Sequence, residues 1–145
     1  MTNVFFCKNS EIEDECLKYA VIVSEYKNKW IFCRHKERST WEIPGGHREP
    51  GEEIETTARR ELAEETGATL ADIRQVSVYG VEKDGKNSYG MLFCANIKIL
   101  GQLSECSEIS EIGLFDTLPE KLTYPDIQPH LFHKIQTWLG GQSLY

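Results

Sequence analysis

The sequence predicts an α/β fold in which two helices enclose a mixed sheet as a three-layer α/β/α sandwich. Three observations lead to this prediction: short apolar segments that suit strands recur along the chain, an apolar stripe repeats every four residues after residue 53, and a second helical stripe lies near the C-terminus. The chain has 145 residues, which is the length of one domain. We therefore expect residues 1–145 to form a single domain.

Six apolar segments predict strands. They are residues 19–25, 29–34, 41–43, 73–81, 89–99 and 112–115. Polar residues at 26–28 and 84–87 predict turns within the first pair and the long pair of strands.

Two segments predict helices. From residue 53 onward, Ile54, Ala58 and Leu62 form one inward stripe, and Gly67 suits a left-handed cap after the last turn. The segment 126–139 forms the second helix, with an apolar face made of Ile127, Leu131, Ile135 and Trp138.

The composition excludes several classes of protein. A net charge of −7 argues against a protein that coats nucleic acid, because such a protein needs a basic face. No apolar run approaches the ~18 residues of a membrane span, and the N-terminus lacks the order of a signal peptide. The five cysteines are an odd count without C-x-x-C spacing, which is typical of reduced thiols in a cytoplasmic protein.

Three glutamates on the first predicted helix suggest a metal site. At 100° per residue, Glu61, Glu64 and Glu65 fall at about 0°, 300° and 40°, which places them on one outer face. Like charges at these spacings repel each other. A divalent cation such as Mg²⁺ would turn that repulsion into binding, because hard cations prefer oxygen ligands.

The whole segment 46–68, GHREPGEEIETTARRELAEETGA, fits the pattern G-x5-E-x7-R-E-U-x-E-E-x-G-U without a departure, where U is aliphatic or small. This pattern is the Nudix box, and the chain resembles the Nudix hydrolases, more particularly their MutT-like group. Residues 41–45, WEIPG, also resemble the usual lead-in to the box. The resemblance implies a Nudix fold and a hydrolase that cleaves nucleoside diphosphates linked to a further group.

The resemblance also implies a set of metal ligands for Mg²⁺ or Mn²⁺. By position, Glu64 and Glu65 would bind the metal, and Glu61 would be a further ligand or would orient the attacking water. The carbonyl of Gly45 would supply a backbone ligand. Glu52 would bind the metal directly or pair with Arg60, and Arg60 would orient the carboxylates.

In the Nudix hydrolases, which this chain resembles, a further catalytic acid often comes from a loop late in the sheet. Glu108 is the first choice, Glu111 the second, and Glu105 lies in the same loop. Solvated loop acids are the alternative for all three.

Residues for the substrate are less defined by the sequence. Arg48 is a candidate for phosphate, Gly46 for close backbone approach, and Tyr89 for the base. Tyr79 and Phe93 are alternative aromatic residues, and the basic cluster 34–38 either holds phosphate or lies at a solvated edge.

We therefore expect a metal-dependent pyrophosphohydrolase of a small-molecule nucleotide, with no nucleic-acid polymer or membrane as partner. A nucleoside triphosphate, including an oxidised purine nucleotide, converted to monophosphate and pyrophosphate is the preferred reaction. The alternatives are a catalytically silent nucleotide sensor of the same fold and a hydrolase of another nucleoside diphosphate derivative such as a nucleotide sugar. Homodimers are common among proteins of this resemblance, so a homodimer is included among the expected assemblies.

Overall fold

The computed structural model describes residues 1–142 and shows a mixed sheet between two α-helices. In chain order the elements are β1 Thr2–Cys7, β2 Leu17–Tyr26, β3 Lys29–His35, β4 Gly45–His47, α1 Ile54–Thr66, β5 Ala68–Lys83, β6 Lys86–Leu100, β7 Ile109–Phe115 and α2 Gln128–Gln142. The strand order is β1-β5-β6-β2-β3-β7, and β4 pairs with β2 beside this path. β2 and β6 are parallel, whereas the other pairs are antiparallel. The predicted α/β class and mixed sheet are confirmed.

The two helices cover opposite faces of the sheet. Ile54, Ala58 and Leu62 of α1 pack in one buried cluster with Ile22 and Phe93. Because side chains alternate along a strand, the neighbouring residues of the same strands face α2. That second cluster contains Val23, Leu92, Leu131, Phe132 and Ile135.

The C-terminus of α1 requires the glycine that follows it. Gly67 has a φ of 84°, and its N–H donates to the carbonyl of Ala63 at 2.9 Å. An added Cβ would lie 2.8 Å from the carbonyl oxygen of Gly101. The predicted left-handed cap is therefore confirmed, and close packing adds a second reason for glycine.

The short strand predicted at 41–43 is wrong. Trp41 and Glu42 form only isolated bridges, and the strand lies instead at Gly45–His47. Glycine is depleted in strands, so a glycine pair predicts a turn. Here glycine is needed because a Cβ on Gly45 would lie 2.5 Å from the carbonyl oxygen of Ala20 on β2.

The sequence also predicted too few strands and several that are too short. β1 pairs along β5 but was not among the predicted strands. β5 and β6 extend to a two-residue turn at Asp84 and Gly85, which both have positive φ. All five cysteines lie in the described part of the chain and are free thiols. Between residues 1 and 142 no helix is long and apolar enough to cross a bilayer.

Candidate functional site

The candidate site lies where β2 and β3 diverge. These strands pair only between residues 24–26 and 29–31. β2 then pairs with β4 through residues 19–21, while β3 continues along β7. The gap between the strands opens a cavity of about 820 Å³, which is within the range of small-molecule sites.

Different side chains line the two ends of this cavity. The end next to β4 and α1 carries charged or titratable residues, namely His35, Arg38, Glu42, Glu49, Arg60, Glu61, Glu65 and Glu108. The middle of the cavity is largely apolar and aromatic, with Tyr19, Val21, Tyr79, Val81, Ile127 and Leu131. The β5–β6 turn forms the other end, with Lys83, Lys86, Asn87 and Ser88.

Glu65 is the most buried box glutamate at the charged end. Its side chain is 12% exposed, and its Oε1 accepts the N–H of Gly45 at 2.7 Å. Burial, together with the charges of Glu61 and Glu42, raises the pKa of Glu65 to about 8, although the hydrogen bond from Gly45 opposes the rise. Ionisation of Glu65 at this position is therefore energetically unfavourable unless a cation lies close to its carboxylate.

The backbone of Gly45 faces the same point. The N–H of Ile22 donates to the carbonyl of Pro44, and the N–H of Arg48 donates to that of Lys18. In an antiparallel ladder the pairs alternate, so Val21 and Gly45 form a pair without hydrogen bonds to each other. The carbonyl of Gly45 is consequently directed away from β2.

Glu61 lies against the second glycine of β4. Its side chain is 13% exposed and accepts a hydrogen bond from Nη1 of Arg60 at 2.8 Å. Burial raises the pKa of Glu61, and Arg60 opposes that rise. A Cβ added to Gly46 would lie within 2.6 Å of all three carboxyl heavy atoms of Glu61. Gly46 therefore leaves the space that this carboxylate occupies.

Glu52 pairs with Arg60 and does not line the cavity. Nε of Arg60 donates to Oε2 of Glu52 at 2.8 Å, and Nη2 donates to Oε1 at 2.9 Å. The hydroxyl of Thr57 donates to Oε1 at 2.6 Å. These hydrogen bonds, led by those of Arg60, lower the pKa of Glu52 to about 2. Of the two roles open to Glu52, the geometry favours pairing with Arg60.

Glu64 points to the outside of the helix. Its side chain is 58% exposed, and its Oε2 lies 3.6 Å from Nη1 of Arg60. Glu61 and Glu65 face the cavity, whereas Glu64 does not line it. In the segment 1–142 no three His, Cys, Asp or Glu side chains converge into a ready-made metal site.

A network beside Glu65 has no counterpart among the sequence predictions. Glu42 is only 5% exposed, and its Oε1 lies 2.5 Å from Nε2 of His35. Nε2 of His35 also lies 3.4 Å from Oε2 of Glu65. Nη1 of Arg38 donates to Oε2 of Glu42 at 2.9 Å. The basic cluster 34–38 thus contributes two side chains to the cavity, and a buried acid in the lead-in holds both.

The three candidate acids late in the sheet differ in whether they line the cavity. Glu108 lines the cavity, and its carbonyl accepts the N–H of Lys36 at 2.9 Å. The carboxylate of Glu111 pairs with Arg34 at 2.6 Å, and Glu105 does not line the cavity. The structure therefore brings Glu108, but not Glu111 or Glu105, to the box glutamates.

Arg48 and Tyr89 lie outside the cavity. His47 and Ser88 line it, and the alternation of side chains turns the next residue of each segment to the other side. The guanidinium of Arg48 donates to the carboxylate of Asp14 at 2.7 Å and to backbone carbonyls. The ring of Tyr89 packs edge-on against Phe5. Of the three aromatic candidates for the base, Tyr79 lines the cavity, whereas Tyr89 and Phe93 do not.

The groups at the charged end fit a hard divalent cation. Glu61 and Glu65 are two carboxylates whose ionised form is made unfavourable by burial. They lie beside the carbonyl of Gly45, which forms no hydrogen bond with β2. These are oxygen donors, which suit Mg²⁺ or Mn²⁺. Glu61 and Glu65 with the carbonyl of Gly45 would hold such an ion.

Comparisons with known proteins agree with this architecture. The family model of the NUDIX domain matches residues 17–134. A curated relative, the putative 8-oxo-dGTP diphosphatase YtkD of Bacillus subtilis, is 32% identical over 106 residues, which are 73% of this chain and 66% of the relative. A second putative 8-oxo-dGTP diphosphatase of the same organism is 37% identical over 41% of this chain and 40% of the relative. The chain thus spans 66% or less of the length of these relatives.

Solved structures show the same fold. The pyrophosphohydrolase BsRppH of Bacillus subtilis, an E68A mutant, superposes with a TM-score of 0.75 at 25% identity and covers 94% of this chain and 90% of its own. A UDP-X diphosphatase superposes with a TM-score of 0.72 at 22% identity and covers 93% of this chain and 68% of its own. Family match, fold and box geometry lead to one conclusion: the chain belongs to the Nudix family.

Proposed function

We propose that this chain is a divalent-metal-dependent pyrophosphohydrolase of nucleotides. The preferred substrate is a nucleoside triphosphate, including an oxidised purine nucleotide, and the products are the monophosphate and pyrophosphate. The observation that carries the proposal is the pair of partly buried carboxylates, Glu61 and Glu65, beside the carbonyl of Gly45 at one end of a nucleotide-sized cavity. The names of the two 8-oxo-dGTP diphosphatases support the substrate class.

The box residues take separate roles in this proposal. Glu65 and Glu61 would hold Mg²⁺ or Mn²⁺ with the carbonyl of Gly45. Glu64 would be a further ligand only with its side chain turned from the solvent toward the cavity. The bound metal supplies charge stabilisation for phosphoryl oxygens and a lowered pKa for water. Arg60, which is held by Glu52, orients Glu61.

Glu108 is the proposed acid or base outside the box. It reaches the cavity from the β6–β7 loop, next to Ser107, whose hydroxyl donates to the carbonyl of Glu64 on α1. In this role it accepts a proton from the attacking water, whose oxygen remains on the monophosphate while the phosphoanhydride bond to pyrophosphate breaks. Glu61 is the alternative group for orienting that water.

The apolar middle of the cavity suits the nucleoside. Val21 and Val81 provide apolar walls, and Tyr19 provides an aromatic ring. Tyr19 and His47 pack edge to face at 4.7 Å between this region and Gly46. Aromatic rings together with a few polar groups are the usual environment of a bound base.

Two alternative functions differ in the observations that support them. A silent sensor of the same fold would bind a nucleotide without turnover, but all four box glutamates remain in this chain. A hydrolase of another nucleoside diphosphate derivative has support from an ADP-ribose pyrophosphatase of Bacillus subtilis, which is 33% identical over 60% of this chain and 50% of the relative.

A phosphate-release assay over a nucleotide panel with Mg²⁺ or Mn²⁺ tests the proposal. The panel contains the common nucleoside triphosphates, 8-oxo-dGTP, ADP-ribose and a UDP-sugar. We expect pyrophosphate release from a triphosphate, and a loss of at least 100-fold in kcat for Glu65→Gln. Glu55→Gln is the matched control, because Glu55 lies on the same helix but is 54% exposed and outside the cavity. Tight nucleotide binding without turnover of any substrate would instead identify a sensor.

A further inference from the structure

The β5–β6 turn places two lysines at the end of the cavity remote from the carboxylates. Lys83 and Lys86 are directly opposite each other in the register of the two strands, and both line the cavity. Neither forms an ion pair among residues 1–142. Ser88 lies on the same side of β6, lines this end as well and can add a hydrogen bond.

The acids next to these lysines in sequence, Glu82 and Asp84, form no ion pair with them and do not line the cavity. Glu82 alternates with Lys83 on β5 and therefore faces the opposite side of the sheet. Asp84 lies in the turn itself. The two ammonium groups therefore form a positive end on a protein whose net charge is −7.

The distance along the sheet separates the lysines from the box. Tyr19 is paired with His47 on one side and with Gly90 on the other. From Gly90 to Lys86 the strand advances four residues, or roughly 13 Å at about 3.3 Å per residue. The apolar walls that suit a nucleoside occupy the interval, so the lysines lie beyond the nucleoside when the phosphate bridge is at Glu61 and Glu65.

We propose that Lys83 and Lys86 bind a second anionic group of the substrate, a phosphate carried by the nucleoside on the side away from the cleaved bridge. This inference rests on the proposed function, because it takes the bridge to lie at the box glutamates. A 3′-phosphate on the ribose and the phosphodiester of a following nucleotide share the required chemistry. Two ammonium groups and a hydroxyl provide charge-assisted hydrogen bonds for either one.

Binding measurements test the inference without any need for turnover. The ligands are guanosine 5′-monophosphate, guanosine 3′,5′-bisphosphate and the 5′-phosphorylated dinucleotide pGpG, each with Mg²⁺. We expect a Kd about tenfold lower for at least one of the last two than for the monophosphate, and a preference that weakens with added salt. Gain with the bisphosphate identifies a 3′-phosphate site, whereas gain with pGpG alone identifies a site for a phosphodiester.

The double variant Lys83→Ala/Lys86→Ala assigns the preference to the turn. We expect the ratio of Kd values for monophosphate and preferred ligand to fall about tenfold in this variant. Lys27→Ala/Lys98→Ala is the matched control, because it removes the same charge from lysines that do not line the cavity, and it should retain the ratio.

Two results would overturn the inference: equal affinity of the wild-type protein for all three ligands, or a preference that survives in the double variant. A parallel assay with the corresponding 5′-triphosphates separates this result from the proposed function. Hydrolysis of GTP without any effect of a 3′-phosphate rejects the second site alone, whereas absence of hydrolysis on the whole panel rejects the proposed activity.

Discussion

Replacing Glu65 by glutamine should stabilise the metal-free protein at alkaline pH. The amide is nearly isosteric and keeps an acceptor for the N–H of Gly45, but it does not ionise. In the folded protein the pKa of Glu65 is about 8, compared with an ordinary value of 4.5. The wild-type carboxyl therefore binds its proton more tightly in the folded state, and stability falls as the pH rises from about 4.5 to 8.

The size of the effect follows from these two values. Their difference corresponds to about 5 kcal/mol at most. Between pH 5 and pH 8 about 3 kcal/mol of this is lost, because the unfolded carboxyl is already partly ionised at pH 5 and the folded one is half protonated at pH 8. For a domain of this size such a loss lowers the Tm by about 6–12 °C.

Urea unfolding at pH 5 and pH 8 in the presence of EDTA measures this difference. The free energy of unfolding of Glu65→Gln relative to wild type should rise by about 3 kcal/mol from pH 5 to pH 8, whereas Glu55→Gln should follow the wild type. Saturating Mg²⁺ at pH 8 should stabilise the wild type by about 2.7 kcal/mol at 100 times its Kd and leave Glu65→Gln unchanged. Parallel pH profiles for wild type and Glu65→Gln would refute the argument that this carboxyl is buried at a cost.

Three further changes test other parts of the site. Gly46→Ala should push the carboxylate of Glu61 aside and lower kcat/KM at least tenfold, with a stability change below about 1 kcal/mol in urea unfolding, because the clash falls on the end of a flexible side chain. Glu108→Gln should lower kcat about 100-fold in the pyrophosphate-release assay, while Glu111→Gln should stay within about threefold of wild type, and two small effects would place the acid elsewhere. Arg48→Ala should reduce the free energy of unfolding by about 1–3 kcal/mol, because its guanidinium donates to three backbone carbonyls, and an unchanged urea midpoint would contradict this role.

The sequence predicted the elements whose signal is local. The stripe of Ile54, Ala58 and Leu62 defines both α1 and the face that it buries, since helical periodicity needs no information from elsewhere in the chain. The strand at Gly45–His47 was missed for the opposite reason. Glycine is needed at position 45 because a side chain there would clash with Ala20, which lies 25 residues earlier in the chain. A local sequence pattern carries no information about such a contact.

For the candidate site too, the sequence predicted the residues of the local motif but not those that depend on distant contacts. The box pattern identified Glu61 and Glu65, and the structure places both at one end of the cavity. The box pattern could not identify Glu42, because the burial of this acid depends on His35 and Arg38, which approach it from β3 and from the loop after β3. The placement of Arg48 and Tyr89 depends on which face of a strand each residue occupies, and an error of one residue in register reverses that face.

Two glutamates of the same motif show why residue type and spacing do not define a role. Glu52 accepts two hydrogen bonds from Arg60 and one from Thr57, so its pKa falls to about 2 and its charge is fixed. Glu65 accepts one backbone N–H in a largely desolvated position, and its pKa rises to about 8. Only the second arrangement carries an electrostatic cost that a cation can relieve. Affinity for a divalent ion should therefore centre on Glu65, whereas Glu52 acts through the guanidinium that it holds.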